Sequence, residues 1–471
     1  MSDADALMWK VEKDPLLRST ITVVWILDRA PDRARFADKI ERATRLIQRL
    51  RQRVVSNPLS IAPPRFEVDP FFDIAFHVRW LKAPGDGSLR AVLDMAQPMA
   101  MQGFDRARPL WEMAIVEGLA HGRAALLMKL HHSLSDGVGL VQMTTSLIER
   151  SRERDPDRAP KPMPPVPAVH VMSQWERVLD AIGHESRRQV GRARRIASAV
   201  GAAVGDPIGT ARATFDASGS IARMLRPVAE PHSPVMRGRS LSVRFDGFTV
   251  SLDALKAAAR CGDGRLNDAF VAGILGGLRR YHDAHGEKVD TLRMTMPINV
   301  RAAETEQVAG NQFAPARFSV PLEIADPLER MRAVRDLVGK QRTEPGLPFL
   351  EEVSAVLNRL PSAISTAMFG TMLKGIDFVT SNVPGPPFEV YVSGARVESI
   401  YGFGPLAGAA ANVTLFSYRG EVGIAVNTDP AAIHDPDVFV SCLRAGIDEV
   451  VQVGRRGAAD ASARGAGEED S

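Results

Sequence analysis

Two adjacent histidines, His131 and His132, end an apolar run in the segment KLHHSLSDGVG. If the run is a strand, alternation of side chains places His132 on the apolar face with Leu130 and places His131 beside Lys129. Partial desolvation on an apolar face favours the neutral imidazole, which can accept a proton. The pattern therefore fits a general base at His132 with a structural His131, and it also fits a core strand that simply ends before a capped helix.

Asp136 and Gly137 stand where this run turns into a predicted helix. A carboxylate at Asp136 suits the positive end of the helix dipole, and Gly137 permits the close approach or positive φ of a tight loop. A metal site would need a third ligand, and no His or Cys cluster at ligand spacing accompanies the pair. We therefore expect neither a metal nor a cofactor at this segment.

The elements that must position these residues alternate between strands and helices. Residues 19–28 and 124–130 have strand patterns, whereas 35–54 has an amphipathic helical pattern. The segment TLRMTMPINV alternates apolar and polar residues, and NVTLFSYRGEVGIAVNT predicts a hairpin that turns at Arg419-Gly420. This mixture of elements on both sides of the chain predicts an α/β protein built from two halves.

Changes in composition mark the boundaries between the predicted segments of the chain. A proline-dense polar stretch at 152–169 predicts a linker, and 173–228 has helical spacing without strand patterns. The last residues of the chain lack apolar periodicity and predict a disordered tail. We predict an N-terminal half at 1–168, a helical connector at 169–235, a C-terminal half at 236–455 and a tail at 456–471.

Composition excludes several classes of protein. The chain has 471 residues, 45% of them hydrophobic and 24% charged, which is typical of a soluble globular protein. A formal net charge of only +3 argues against binding to nucleic acid. The two cysteines lie far apart in the sequence, which argues against a framework of disulfide bonds. The N-terminus lacks the pattern of a signal peptide. The uncharged stretch 360–373 is shorter than the ~20 residues that a membrane span needs. We therefore expect a cytoplasmic protein that does not cross a membrane.

A series of motifs in order resembles the bacterial wax ester synthase/acyl-CoA:diacylglycerol acyltransferase family. The resemblance runs from about residue 6 to residue 452. The motifs are HVRWLKAPGDGSL, the PLW element at Pro109-Leu110-Trp111, HHSLSDG, GRLNDAFVAGILGGLRRY, MPINVR, TSNVPGPP and SYRGEVGIAVNTDP. The HHxxxDG motif alone is shared by several acyl-transferring families, whereas the full ordered set is highly specific.

The resemblance implies a fold like that of chloramphenicol acetyltransferase, with two pseudo-symmetric halves and a tunnel between them. It implies that His132 is the general base, that His131 is its structural neighbour and that Asp136 holds the loop without touching substrate. The implied reaction transfers a long-chain acyl group from acyl-CoA to the hydroxyl of diacylglycerol or of a fatty alcohol. The products are triacylglycerol or wax ester, and neither a metal nor an acyl-enzyme is required.

Three more residues matching family motifs are candidates for substrate binding: Asn267, Asp268 and Trp111. By helix chemistry alone, Asn267 suits the N-cap of the apolar helix that follows, and Asp268 suits its first turn. Trp111 can be an ordinary core residue or can line the tunnel. For each of these residues, a purely structural role and a role in binding substrate both remain open.

Two other functions remain open at this stage. The chain can be an acyltransferase or condensation enzyme with another acceptor, such as an amine or a carrier-protein thioester. It can also be a lipid-binding relative without catalytic activity, although His131, His132, Asp136 and Gly137 are all present.

The implied substrates are amphiphiles held in bilayers or lipid bodies, which predicts peripheral attachment to a membrane or lipid-body surface. The segment 186–205 has five arginines before an uncharged stretch of small and apolar residues. Basic residues favour an anionic surface, so this segment is a candidate for docking. A solvated helix that packs one side against the two halves is the alternative.

Overall fold

The computed structural model describes most of the chain. The described residues are 1–56, 62–134, 138–153, 162–186, 189, 219, 230–299, 313–342, 353–354 and 357–468. For 138–142, 298–299, 313–316, 342 and 458–468, only the backbone is described. Asp136, Gly137 and most of the segment 186–205 lie outside these residues.

Strands of two six-stranded sheets dominate the described chain. The strands of the described residues are β1 (Thr20–Leu27), β2 (Gln52–Val55), β3 (Arg65–Val68), β4 (Val78–Lys82), β5 (Trp111–Glu117), β6 (Ala124–His131), β7 (Arg244–Ser251), β8 (Thr291–Asn299), β9 (Phe313–Pro321), β10 (Phe378–Pro384), β11 (Tyr391–Val392), β12 (Ala395–Phe403), β13 (Ala411–Tyr418) and β14 (Glu421–Thr428). The first sheet has the order β11-β12-β1-β6-β5-β4 and the second β7-β14-β13-β10-β8-β9, while β2 and β3 form a separate pair. Both large sheets mix parallel and antiparallel neighbours.

Helices cover these sheets. They are α1 (Asp3–Val11), α2 (Arg33–Leu46), α3 (Ile74–His77), α4 (Leu89–Met101), α5 (Val138–Leu147), α6 (Leu252–Cys261), α7 (Leu266–Ala284), α8 (Pro327–Arg342), α9 (Ser362–Leu373) and α10 (Pro436–Glu468), and 174–186 is also helical. Within the described residues, no helix combines the length and the apolar character needed to cross a bilayer.

Both faces of the first sheet are buried at its centre. On one face, Trp25 and Met128 pack with α2 residues in the core of the first half. On the other, Leu127 packs with α4 and with Phe245 and Tyr401, which come from the second half of the chain. Because β6 is covered on both sides, all of its residues from Ala124 to His131 are buried. This double burial fixes the end of β6, where the two histidines lie.

The C-terminal half contributes strands β11 and β12 to the first sheet, which the predicted boundaries do not anticipate. β12 follows the predicted boundary at 236 by more than 150 residues, yet it pairs antiparallel with β1 in the first sheet, from Thr22↔Phe403 to Leu27↔Val397. Alternation along one strand identifies a strand but carries no information on which strand it pairs with. The division at 236 therefore follows the chain but does not separate the two sheets.

Two helix ends differ from the sequence prediction, and one turn agrees with it. α2 ends at Leu46, so the predicted helix over 35–54 is too long, because a short 3₁₀ turn and β2 follow it directly. α10 extends to Glu468, into the predicted tail, where alanine-rich sequence continues a well-packed helix. The hairpin of β13 and β14 turns at Arg419 and Gly420, whose φ angles of 48° and 80° match a type I′ turn.

Candidate active site

His131 is the last residue of β6, and His132 begins a 3₁₀ turn over His132–Leu134. The strand pattern over 124–130 therefore extends one residue further, to His131, but it does not include His132, so strand alternation alone does not orient His132. The strand is held on both sides at this point: His131 pairs with Thr20 of β1, and its N–H donates to the Leu110 carbonyl at 3.0 Å.

His131 is completely buried, and two contacts of its imidazole ring define the tautomer. The Ser133 backbone N–H donates to Nδ1 at 3.1 Å, so Nδ1 is the unprotonated nitrogen. Nε2 then carries the hydrogen and donates it to Glu12 Oε1 at 2.8 Å, while the Ser133 hydroxyl lies 2.7 Å from Nδ1. These contacts fix the orientation of the ring, and the structural role of His131 stays a prediction.

Glu12 connects the N-terminal segment to both histidines. Its Oε1 also accepts the Ser19 N–H at 2.6 Å, and the Ser19 carbonyl accepts the His132 N–H at 2.8 Å. Trp9, on α1, approaches the His131 ring edge-on, with the ring centroids 5.4 Å apart. Glu12 therefore acts on the backbone of His132 through Ser19 and on the ring of His131 directly.

No pattern in the sequence indicates that Glu12 belongs to this site. Glu12 lies in the segment WKVEKDP, which matches no motif, and it is 119 residues from its partner histidine. A lone acidic residue after a short helix carries no local pattern that could indicate this long-range contact.

His132 lies deep in the protein but keeps some solvent-accessible surface. Desolvation lowers the pKa of its imidazole to about 4, and the neighbouring His131 contributes in the same direction. At neutral pH the ring is therefore uncharged and has a lone pair that can accept a proton. A neutral imidazole that solvent can still reach meets the first requirement of a general base, which is an available lone pair.

A small cavity of about 70 Å³ lies between the two halves, one strand away from the histidines. Its lining includes Thr20 and Thr22 of β1, which pair with His131 and Lys129 of β6, and it includes Asn427 of β14. Within the described part of the chain, Thr22 Oγ1 and Asn427 Oδ1 are buried without a hydrogen-bond partner. The tunnel that would accommodate a whole acyl chain stays a prediction.

Trp111, on β5, has the contacts of a core residue. It is 1% exposed, its indole N–H donates to the Leu50 carbonyl at 2.8 Å, and its ring stacks on His77 with the centroids 4.4 Å apart. Strand pairing places it opposite Leu130, close to the histidines in the first sheet. Its predicted role in binding substrate stays a prediction.

Asn267 and Asp268 lie in the other half, in the first turn of α7. The helix begins at Leu266 with Arg265 as its N-cap, so the prediction that Asn267 is the N-cap is wrong. Asp268 Oδ2 accepts the Arg265 N–H at 2.7 Å, which makes Asp268 a capping residue. Asn267 is half-buried and directs Nδ2 to Met296 Sδ at 3.1 Å. Substrate binding by either residue stays a prediction.

The described residues hold no group of three or more His, Cys, Asp or Glu side chains that could bind a metal ion. His282 and His285, which form the other short histidine pair, are each occupied elsewhere: His282 Nε2 lies 2.8 Å from Ser233 Oγ, and His285 Nε2 lies 3.1 Å from Asp435 Oδ2. His282 is 1% exposed and therefore lies in the interior of the protein.

Comparison with known proteins places these observations in a family. The wax ester synthase/diacylglycerol acyltransferase catalytic domain matches residues 1–270, and the WS/DGAT C-terminal domain matches residues 309–450. A Mycobacterium tuberculosis protein provisionally named a diacylglycerol O-acyltransferase is 38% identical over 455 residues, which cover 96% of this chain and 91% of that protein. Another from the same organism, with the same provisional name, is 29% identical over 97% of each chain.

Two solved structures share the fold. The wax ester synthase/diacylglycerol acyltransferase from Marinobacter aquaeolei VT8 superposes with a TM-score of 0.59 at 19% identity, over 96% of this chain and 98% of that one. A starter condensation domain of rhizomide synthetase, in complex with C8-CoA and Leu-SNAC, gives 0.57 at 13% identity, over 97% and 94%. The expected α/β architecture of two similar halves is thereby confirmed. With the family domains matching most of its length, this chain belongs to the wax ester synthase/diacylglycerol acyltransferase family.

Proposed function

We propose that this protein is an O-acyltransferase that moves a long-chain acyl group from acyl-CoA to the hydroxyl of diacylglycerol or of a fatty alcohol. The observation that carries the proposal is His132: a neutral imidazole, deep in the protein and still open to solvent, on a backbone that Ser19 and Glu12 hold in place. The family supplies the reaction class, and the histidine supplies a group able to perform its proton transfers.

In the proposed step, the lone pair of His132 takes the proton of the acceptor hydroxyl as the oxygen attacks the thioester carbonyl carbon. The C–S bond then breaks, and the CoA thiolate takes the proton back from the imidazolium, so the products are an ester and free CoA. A pKa of about 4 keeps the ring unprotonated at neutral pH. Negative charge that develops on the oxyanion and on the departing sulfur raises its proton affinity during the reaction.

Acyl-CoA as the donor is supported by the family and by the structural neighbour that holds C8-CoA. Diacylglycerol as an acceptor is supported by the names of the M. tuberculosis relatives, and an alcohol acceptor by the name of the M. aquaeolei structure. Asp136 and Gly137 enter the proposal through the family motif: Asp136 orders the loop after His132, and Gly137 permits its tight turn.

The test is an assay of CoA release from palmitoyl-CoA, with diacylglycerol, a long-chain alcohol or a long-chain amine as the acceptor. Each reaction is run in parallel with the His132→Ala variant, and the lipid product is identified by mass spectrometry. Ester formation that depends on His132 supports the proposal. Amide formation alone would select the condensation-like alternative, and the absence of CoA release with every acceptor would select a lipid-binding protein without catalytic activity.

A further inference from the structure

The helical segment 174–186 exposes apolar side chains to solvent and turns charged side chains towards the protein, which is the reverse of an ordinary surface helix. Two charged side chains of this helix contact the β2–β3 pair: Asp180 pairs with Arg65 at 2.9 Å, and Arg177 approaches Glu67 at 3.5 Å. Towards its end, Glu185 pairs with Arg359 at 2.7 Å. Ion pairs therefore fasten this helix to the body of the protein.

The opposite face of this helix is apolar and exposed to solvent. Trp175, Leu179 and Ile182 are 77%, 66% and 52% exposed, and their spacing of four and three residues places them on one stripe. Ala181, on the inner side, is 1% exposed. A helix that packed for its own stability would bury the stripe and expose the charges.

The exposed apolar surface is concentrated in this part of the chain. Of the fourteen exposed large apolar side chains among the described residues, seven lie within 163–182. Besides the three on the helix, these are Met163, Val166, Val169 and Val171, in the extended segment that leads into it. Such a concentration of exposed apolar side chains in one short part of the chain favours an interaction surface there.

The charge of the adjoining sequence indicates which surface it meets. Arg187, Arg188, Arg192, Arg194 and Arg195 occur within the nine residues that follow Ser186. Apolar anchors next to a basic segment match a bilayer with anionic headgroups, because the apolar side chains enter the acyl boundary while the arginines attract the headgroups. A tryptophan suits the interface between these two regions.

We propose that the helical segment 174–186 docks the protein on an anionic lipid surface, with Trp175, Leu179 and Ile182 as the inserted side chains. The inference goes beyond the proposed reaction, because it depends only on the contacts of this helix and on the sequence that follows it. Binding can therefore be measured without acyl-CoA or an acceptor, and its outcome is independent of the catalytic test.

The experiment mixes the full-length protein with vesicles of equal parts phosphatidylcholine and phosphatidylglycerol, with and without bromine on the acyl chains. Brominated chains quench an inserted tryptophan. Of the five tryptophans, Trp175 is the exposed one, whereas Trp9, Trp25 and Trp111 are buried and Trp80 is half-buried. We expect co-sedimentation that weakens at high salt, together with quenching of the tryptophan emission.

Three variants give the proposal its controls. Trp175→Ser/Leu179→Ser should lower the vesicle partition coefficient by about tenfold or more. Trp175→Phe should keep most of the binding and lose the quenching. Val438→Ser, which removes an apolar side chain 42% exposed on α10, should change neither.

Any of three results would overturn the proposal: equal vesicle binding by the double serine variant and the parent, quenching that survives in Trp175→Phe, or no binding by the parent at low salt. A dimer in analytical ultracentrifugation that dissociates in the double serine variant would likewise overturn it, because the stripe would then be an interface between two copies of this chain.

Discussion

Nε2 of His131 lies 2.8 Å from Oε1 of Glu12, and this contact joins the end of the central strand β6 to the N-terminal helix. The same carboxylate oxygen accepts the Ser19 N–H, and Ser19 accepts the N–H of His132. The position of the proposed base therefore depends on a residue that does not belong to the HHxxxDG motif. We therefore expect Glu12 to act as a positioning residue, whose removal affects the rate without affecting the affinity for substrate.

Glu12→Ala removes the acceptor of two buried N–H groups, and each buried donor left unsatisfied costs about 1–3 kcal/mol. We expect a lower melting temperature and a lower kcat for CoA release, with KM nearly unchanged. Glu12→Gln retains an acceptor oxygen in the same place and should restore most of both. Thermal unfolding and steady-state kinetics on the two variants check this, and an alanine variant as stable and as fast as the parent would contradict it.

His132→Ala should abolish most of the CoA release. General-base assistance is typically worth about 10²–10⁴-fold in rate, and the loss should fall in that range. Because the ring is partly accessible at the end of a strand, thermal stability should change little. His131→Ala should behave in the opposite way and mainly cost stability, because it leaves Glu12 and Ser133 without their buried partner. Retention of most activity by His132→Ala would rule out the proposed mechanism.

The lowered pKa of His132 predicts the pH dependence of the reaction. The base acts in its neutral form, so activity is present above the folded-state pKa and is lost as the pH falls through about 4. The acidic limb of kcat/KM should therefore lie well below the ordinary pKa of histidine, about 6.5. A profile measured from pH 8 downwards, as far as the protein stays folded, checks this. A midpoint near 6.5 would show that the ring is solvated in the free enzyme.

The same shift affects stability. The unfolded chain binds a proton at His132 near pH 6.5, whereas the folded protein resists it until about pH 4. The stabilising contribution of the neutral ring is therefore complete above the unfolded pKa and declines as the pH falls between these two values. Burial also lowers the pKa of His77 and of His282, which act in the same direction. We expect the melting temperature to fall over this window, less steeply in His132→Ala than in the parent.

The sequence predicts the local elements of this site better than their partners. Strand β6 and the turn at Arg419-Gly420 are recognisable because alternation and turn chemistry are local properties. The contact of Glu12 with His131 and the pairing of β12 with β1 are not, because they join residues more than a hundred positions apart. Lys129 illustrates the same limit: its charge suggests a solvated face, but it is completely buried and lies 3.4 Å from Glu112.

Trp111→Phe distinguishes a core tryptophan from one that binds substrate. The change removes the indole N–H that satisfies the buried Leu50 carbonyl and weakens the stack on His77. A buried polar group left unsatisfied costs about 1–3 kcal/mol, so the free energy of unfolding should fall by this order. If Trp111 acts only in the core, KM for palmitoyl-CoA and for the acceptor should not change. A higher KM with unchanged stability would instead assign Trp111 to the substrate site.

Asn267 and Asp268 allow a matched pair of substitutions in the same turn of α7. Asp268 Oδ2 caps the helix through the Arg265 N–H, and loss of a cap costs about 0.5–2 kcal/mol, so Asp268→Ala should lower the melting temperature. Asn267 makes its described side-chain contact with a thioether, a weak acceptor, so Asn267→Ala should change stability little. If Asn267 binds substrate, its alanine variant should raise KM while Asp268→Ala mainly lowers stability. Parallel thermal unfolding and kinetics on both variants separate the roles, and an unchanged KM in Asn267→Ala would remove this residue from the substrate site.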